Sequence, residues 1–225
     1  MPFPTVLHIK VPGPLTSRRL VTCAFILYPL IMSKEGFRII SVTGAQSKVG
    51  KTTLCTVLLN NLDNFGAIKF TKTSLYTSVI DDPETIGQKN TDTARMSGAG
   101  AEKVVWVQGS GDDLEDVLDI SLGKMNGLAG VVVEGNSPVD FLKPHLVIFI
   151  IGQDGQIKPR AAGIIKRADI VVINSEDQTV QPPFPASMLK ENAEVFVMDL
   201  AKRTGDIDGF IASVRKKIAE GIHRT

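Results

Sequence analysis

Cysteine is nearly absent from this chain: Cys23 and Cys55 are the only 2 in 225 residues, and they lie far apart. That excludes a disulfide framework and a thiolate metal cage, and leaves a small buried thiol as the expectation for Cys55. Histidine is equally sparse, with His8, His145 and His223 scattered at no ligand spacing. An excess of charge is missing as well. The 25 Lys and Arg stand against 24 Asp and Glu for a net +1, so there is neither the basic stripe of a nucleic-acid binder nor an acidic tail, and any partner is recognised locally. No internal repeat or low-complexity linker occurs, and no apolar run is long enough to span a bilayer. What remains is ordinary globular composition, 43% hydrophobic and 22% charged, long enough to bury one substantial core.

Residues 1–34 differ in character from the rest. Lys10, Arg18 and Arg19 precede an apolar run at 20–32, with prolines at 2, 4, 12, 14 and 29, in imitation of a signal peptide. No small-x-small cleavage site follows, and the run is too short to cross a membrane. Met32-Ser33-Lys34-Glu35-Gly36 leads directly into the first strand, as an amino terminus does in such domains. The segment therefore reads as an over-extended start or a dispensable arm, with a peripheral membrane or partner-binding arm as the alternative. The expected organisation is an extension at 1–34 and a single cytoplasmic domain at 35–225.

Short, continuous apolar runs predict strands at 38–43, 66–71, 103–107, 129–134, 146–151, 170–174 and 194–198. Such runs suit strands buried on both faces. Helical patterns at 51–62, 113–125, 159–167 and 206–222 fall between or after them. The repeated order of strand then helix predicts an α/β fold with a doubly wound, mostly parallel sheet in three α/β/α layers. Residues 72–90 read as one long loop, of a length usually functional or mobile in compact domains.

Chemistry concentrates first at Gly44-Ala45-Gln46-Ser47-Lys48-Val49-Gly50-Lys51-Thr52-Thr53, between the first strand and the first helix. Loop amides and a helix N-terminus there can face phosphates, Lys51 can reach the β and γ oxygens, and the Thr52 hydroxyl can ligate Mg²⁺. The spacing departs from G-x-x-x-x-G-K-[ST] at one point: the first glycine position falls on Ala45, with Gly44 one residue early. Lys48 is an extra cation in the loop, either solvated or acting across a homodimer interface.

Further candidates lie at other strand ends. Glu134, followed by Gly135, stands where an open parallel sheet presents its ligand crevice and is a candidate for Mg²⁺ or water. Asp92 could hold a metal-bound water and Lys89 or Arg95 meet anionic oxygens, or Thr91 or Asp92 could simply cap a helix. Asp81 and Asp82 could contact metal or substrate, or be solvated. Lys72 is preferred to Lys69 as the cation for an anionic second ligand, because strand alternation puts Lys69 within the sheet. Asn174 and Asp177, in N-x-x-D spacing, match the carbonyl edge and the two donors of guanine.

With those residues in view, 37–200 resembles MobB, the P-loop adaptor family of molybdopterin-guanine dinucleotide biosynthesis. The resemblance rests on the loop at 45–53, on Asp92-Thr93-Ala94-Arg95 followed by Ala99-Gly100-Ala101, on Glu134-Gly135 and on the strand entering Asn174. It implies a P-loop NTPase fold, GTP binding with slow hydrolysis, and a nucleotidyltransferase or other cofactor-assembly partner. Where that family usually has a histidine-rich segment, this chain has Lys72-Thr73-Ser74-Leu75-Tyr76. Val42 to Thr52, a lysine after the second strand and Glu134-Gly135 are also similar to dethiobiotin synthetase, which implies ATP in place of GTP and a lysine, Lys72 or Lys69, holding a carbamate. Both resemblances imply the same fold and Mg²⁺.

Overall fold

The computed structural model describes residues 36–220; the segment at 1–34 lies outside the described residues. The apolar runs become β1 (Arg38–Gly44), β2 (Phe65–Lys72), β4 (Val104–Gly109), β5 (Gly130–Glu134), β6 (Leu146–Gly152), β7 (Ile170–Asn174) and β8 (Glu194–Asp199). Two strands that the periodicity did not indicate, β3 (Ser78–Ile80) and β9 (Thr204–Gly205), are short and close the edges. The described residues form one nine-stranded sheet in the order β3-β4-β2-β5-β1-β6-β7-β8-β9. Both edge strands pair antiparallel and the others are parallel.

Helices cover both faces, which is why the central strands carry no polar alternation. On one face α1 (Lys51–Leu59), α3 (Asp92–Gly98) and α6 (Ile207–Glu220) bury Leu54, Leu58, Met96, Phe210 and Val214 against Ile40, Val132, Ile148 and Val172. On the other, α5 (Ala162–Ile165) brings Ile164 and Ile165 to Phe149, Val171 and Ile173. There too α4 (Leu114–Gly123) packs along β3 and β4. The stretch read as one loop contains β3 and α2 (Pro83–Ile86), a single turn started by Asp82, whose carboxylate accepts from Thr85 N at 2.9 Å. Four-residue elements carry too little periodicity to stand out in a sequence.

The chain winds from β1 leftward through β2 and β4, returns to β5 beside β1, and only then crosses to β6, β7 and β8. β1 is thus the strand where the winding reverses, and the crevice beyond its C-terminal end is where open α/β sheets bind ligands. Among the described residues no helix is long and apolar enough to cross a membrane.

Candidate nucleotide site

The loop at the C-terminal end of β1 is pinned from both sides. The Asn136 side chain grips Gly44 twice, accepting from its N at 2.9 Å and donating to its O at 2.8 Å. From the other side Asn174 Nδ2 donates to Val49 O at 3.1 Å while its Oδ1 accepts from Leu200 N at 3.0 Å. The departure from the usual glycine spacing has a physical reason. Ala45 continues the β1–β6 pairing, with N bonded to Ile150 O at 2.8 Å, and its methyl is fully buried in the second core cluster. Gly44 is the position that tolerates no side chain, since a Cβ there would stand 2.7 Å from Val49 Cγ1. At the other end Gly50 takes φ 110°, a left-handed conformation natural to glycine, and N-caps α1 with no side-chain hydrogen bond. The first amides of α1 therefore face the loop's concavity, as phosphate recognition needs.

Lys51 folds back over the loop, Nζ donating to Gln46 O at 3.0 Å. Burial lowers its pKa, the neighbouring Lys69 adds to the effect, and Glu134 opposes it. Below it lies a buried polar cluster. Thr52 Oγ1 donates to Glu134 Oε2 at 2.9 Å, and Glu134 is 2% exposed at the end of β5. Lys69 Nζ sits 2.6 Å from Glu134 Oε1 and 2.6 Å from Asp92 Oδ2. Burial alone would lower the Lys69 pKa, but Glu134 and Asp92 outweigh it and hold the ammonium above its ordinary value. Asp92 is correspondingly held below the usual carboxylate range: burial works against this, and the bond and charge of Lys69 prevail.

Thr91 N-caps α3, its hydroxyl accepting from Ala94 N at 3.1 Å. Asp92 is thereby left free in the first turn to face Lys69. Arg95, exposed on the same helix, donates from Nη2 to Thr53 Oγ1 at 2.9 Å.

The structure brings Lys51, Thr52, Thr53, Glu134, Asp92 and Arg95 together. Lys72 is exposed at the end of β2, outside this cluster. The lysine within it is Lys69, because β2 pairs with β5 in a register that sets Lys69 opposite Glu134. Alternation does place Lys69 in the sheet, but on the face that α1 covers and at its last layer. Asp81 is taken by Lys124 at 2.6 Å. Asn136 escaped notice in the sequence, where nothing distinguishes it from a turn asparagine.

Hard oxygens from Thr52, Glu134 and Asp92 form a donor set that fits Mg²⁺, which keeps several waters and takes few protein ligands. Among the described residues no group of three or more His, Cys, Asp or Glu side chains converges. Cys55, fully buried behind the loop with its pKa pushed well up by burial, is an inert packing thiol.

To the right of the loop, beyond β6 and β7, opens a cleft of about 580 Å³. Gln46 to Val49 form one wall, and Asp154, Asn174, Asp177 and Asp199 are among the rest of its lining. Asp177 is exposed, and its Oδ1 accepts from Thr179 N at 2.8 Å and Thr179 Oγ1 at 2.7 Å, bonds that lower its pKa. Asp199 was not anticipated from the sequence; its carboxylate is nearly buried at the end of β8 and holds the amides of Ala201 and Lys202 at 2.9 and 3.0 Å.

Compared with described protein families and with curated proteins, the chain matches none. Solved structures do match. The hydrogenase maturation factor HypB from Archaeoglobus fulgidus aligns over 88% of this chain and 98% of its own, at 16% identity and a TM-score of 0.59. HypB from Helicobacter pylori, solved with nickel, aligns over 91% and 97% at 17% identity and 0.54. The fold is that of the P-loop NTPases. A LAO/AO transport system kinase shares it over 92% of this chain and 68% of its own, at 18% identity and 0.51. Within that fold, residues 45–53 connect β1 to α1, and the cluster around Glu134 lies directly beneath them.

Proposed function

We propose that this chain binds a purine nucleoside triphosphate with Mg²⁺, GTP in preference to ATP, and hydrolyses it slowly as an adaptor in assembly of the molybdopterin-guanine dinucleotide cofactor. The observation that carries the nucleotide reading is the convergence of Thr52, Glu134, Asp92 and Lys69 beneath the phosphate loop. Residues 35–225 act in this reading as one nucleotide-binding domain, with 1–34 an extension to it.

Loop amides from Gly44 to Thr53 and the N-terminus of α1 cradle the phosphates, and Lys51 swings from Gln46 O to the β and γ oxygens. Thr52, with Glu134 or Asp92, would hold Mg²⁺, which when bound would neutralise charge on those oxygens. The remaining carboxylate orients the attacking water. Slow turnover is expected because no arginine finger reaches in from this chain's own loop, and Lys48, exposed at φ 60°, is aimed outward unless a second copy meets it.

Guanine is favoured because the right-hand cleft is rich in acceptors. Asp154 and Asp177, both exposed, are among its lining residues, and the guanine edge offers an imino and an amino donor where adenine offers only the amino group. The adaptor reading draws on the Asp92-Thr93-Ala94-Arg95 element of the MobB resemblance, which here contributes directly to the cluster through Asp92 and touches Thr53 through Arg95. A nucleotidyltransferase is the partner that this reading requires.

Titration calorimetry with non-hydrolysable GTP and ATP analogues in Mg²⁺ tests it. GTP is expected to bind more tightly, Asp177→Ala to erase roughly tenfold of that preference, and Lys51→Ala to weaken either nucleotide about a hundredfold. Preference for ATP, unaffected by Asp177→Ala, would instead support an ATP-dependent ligase or kinase acting on a small anion. Unchanged affinity in Lys51→Ala would sink the phosphate site itself.

A further inference from the structure

Lys69 supports a step that goes beyond the nucleotide reading and rests on it. Its ammonium stands 2.6 Å from Glu134 and 2.6 Å from Asp92, the two candidate carboxylates for Mg²⁺. The Lys69 and Glu134 side chains are 15% and 3% exposed, so each would be stranded as a poorly solvated charge without the other. A divalent cation ligated by the same oxygens sits at about 2.1 Å from them, close enough to the ammonium for strong repulsion at low dielectric. The two cations compete for one seat.

We propose that Lys69 is a tethered counter-ion that keeps the metal seat closed in the nucleotide-free protein, so that a divalent cation enters only together with a triphosphate. Two carboxylates, Glu134 and Asp92, stand among three cations, Lys69, Lys51 and Arg95, the last 3.8 Å from Asp92. A bare divalent ion would add two positive charges to that already cationic, partly buried set, whereas a triphosphate brings its own negative charge with the metal. The triphosphate also supplies oxygens for the displaced ammonium. Lys69 shares the α1 face of the sheet with the loop, and Lys51 is near enough to feel its charge. Four flexible carbons let Nζ turn from the carboxylates toward the phosphates while its backbone stays fixed between β4 and β5. Lys69 is then a positioning residue that couples metal entry to nucleotide binding.

The full chain, titrated with Mn²⁺ and followed by the electron paramagnetic resonance of the free aqua ion, tests this with no turnover needed. Wild type is expected to leave Mn²⁺ free until a non-hydrolysable GTP analogue is added. Lys69→Met is expected to bind one Mn²⁺ without nucleotide, about tenfold or more tightly than wild type. Stability provides a second readout: Mg²⁺ alone should raise the unfolding temperature of Lys69→Met and leave that of wild type unchanged, because the metal replaces the missing charge. Wild type binding Mn²⁺ alone as tightly as Lys69→Met overturns the proposal. So does a Lys69→Met protein, folded or unstable, that Mg²⁺ neither binds nor stabilises. Failure of wild type to bind nucleotide would instead overturn the nucleotide reading, and the nucleotide-free Mn²⁺ comparison would still decide the role of Lys69.

Discussion

On the β5–β2 side of the loop after β1 the polar groups are buried or half-buried and bound to one another; on the β6–β8 side most are exposed and bound to their own backbone. Glu134, Lys69, Thr52 and Asp92 come from four elements and share 2.6–2.9 Å contacts. Asp177 caps its own turn through Thr179, and Asn174 is occupied with Val49 and Leu200. A charge removed from water has to be partnered whether or not a ligand is bound, so the groups beneath the loop hold one another in the free protein. An exposed carboxylate is satisfied by water. The β6–β8 side accordingly leaves its carboxylates to water and to the amides of their own turns.

Glu134→Ala probes this contrast most severely. Removing one partner of a buried ion pair should cost about 3–5 kcal/mol of stability in the nucleotide-free protein, read from urea denaturation, while Asp177→Ala across the loop should stay within about 0.5 kcal/mol. Equal losses at the two positions would erase the distinction. Asn136→Ala comes next: it removes both bonds to Gly44 and should cost about 2 kcal/mol, together with a measurable fall in triphosphate affinity, because the loop loses one of its two anchors. A loss in stability with affinity unchanged would mean that Asn136 merely closes a turn.

The smallest effect is expected at Asp119 on α4, which lies between the two regimes. It is partly buried, and burial together with Glu115 and Asp116 raises its pKa to about 6. A carboxyl that is harder to ionise folded than unfolded stabilises the fold only when protonated. Its contribution is complete below the ordinary value near 3.8 and is lost as pH rises through about 6. Asp119→Asn should therefore gain stability over wild type between pH 4 and pH 8, by about 1 kcal/mol once solvent screening of the half-exposed group is allowed for. Thermal melts at the two pH values check the sign, and a gain that shrinks with rising pH would contradict it.

How far the site was legible in the sequence varied with how local each part is. The Gly50-Lys51-Thr52 end of the loop needs only a strand before it and a helix after it, and contiguous residues supply both. Glu134 could be placed at the crevice because a strand terminus in a parallel sheet has a known relation to it. Asp92 remained ambiguous between ligand and cap until Thr91 proved to do the capping. Lys69 was passed over for Lys72, since alternation says which side chains share a face but not which neighbouring strand sets the register. Ala45 looked like a weakened loop. Only its pairing with Ile150 and the close approach of Val49 to Gly44 explain why the glycine is needed one residue earlier.

The sequence by itself determined the elements and their order. The seven longer strands, the α/β alternation and the strand–loop–helix at 38–59 follow from periodicity and from short-range rules that act within a dozen residues. The tertiary structure alone decided which polar groups meet. Parallel pairing set Lys69 against Glu134, helix capping freed Asp92 to join them, and the fold carried Asn136 and Asn174 to opposite ends of the loop. Those contacts join strands and helices far apart in the chain, and their energy appears only when burial removes the water that would otherwise have satisfied each group.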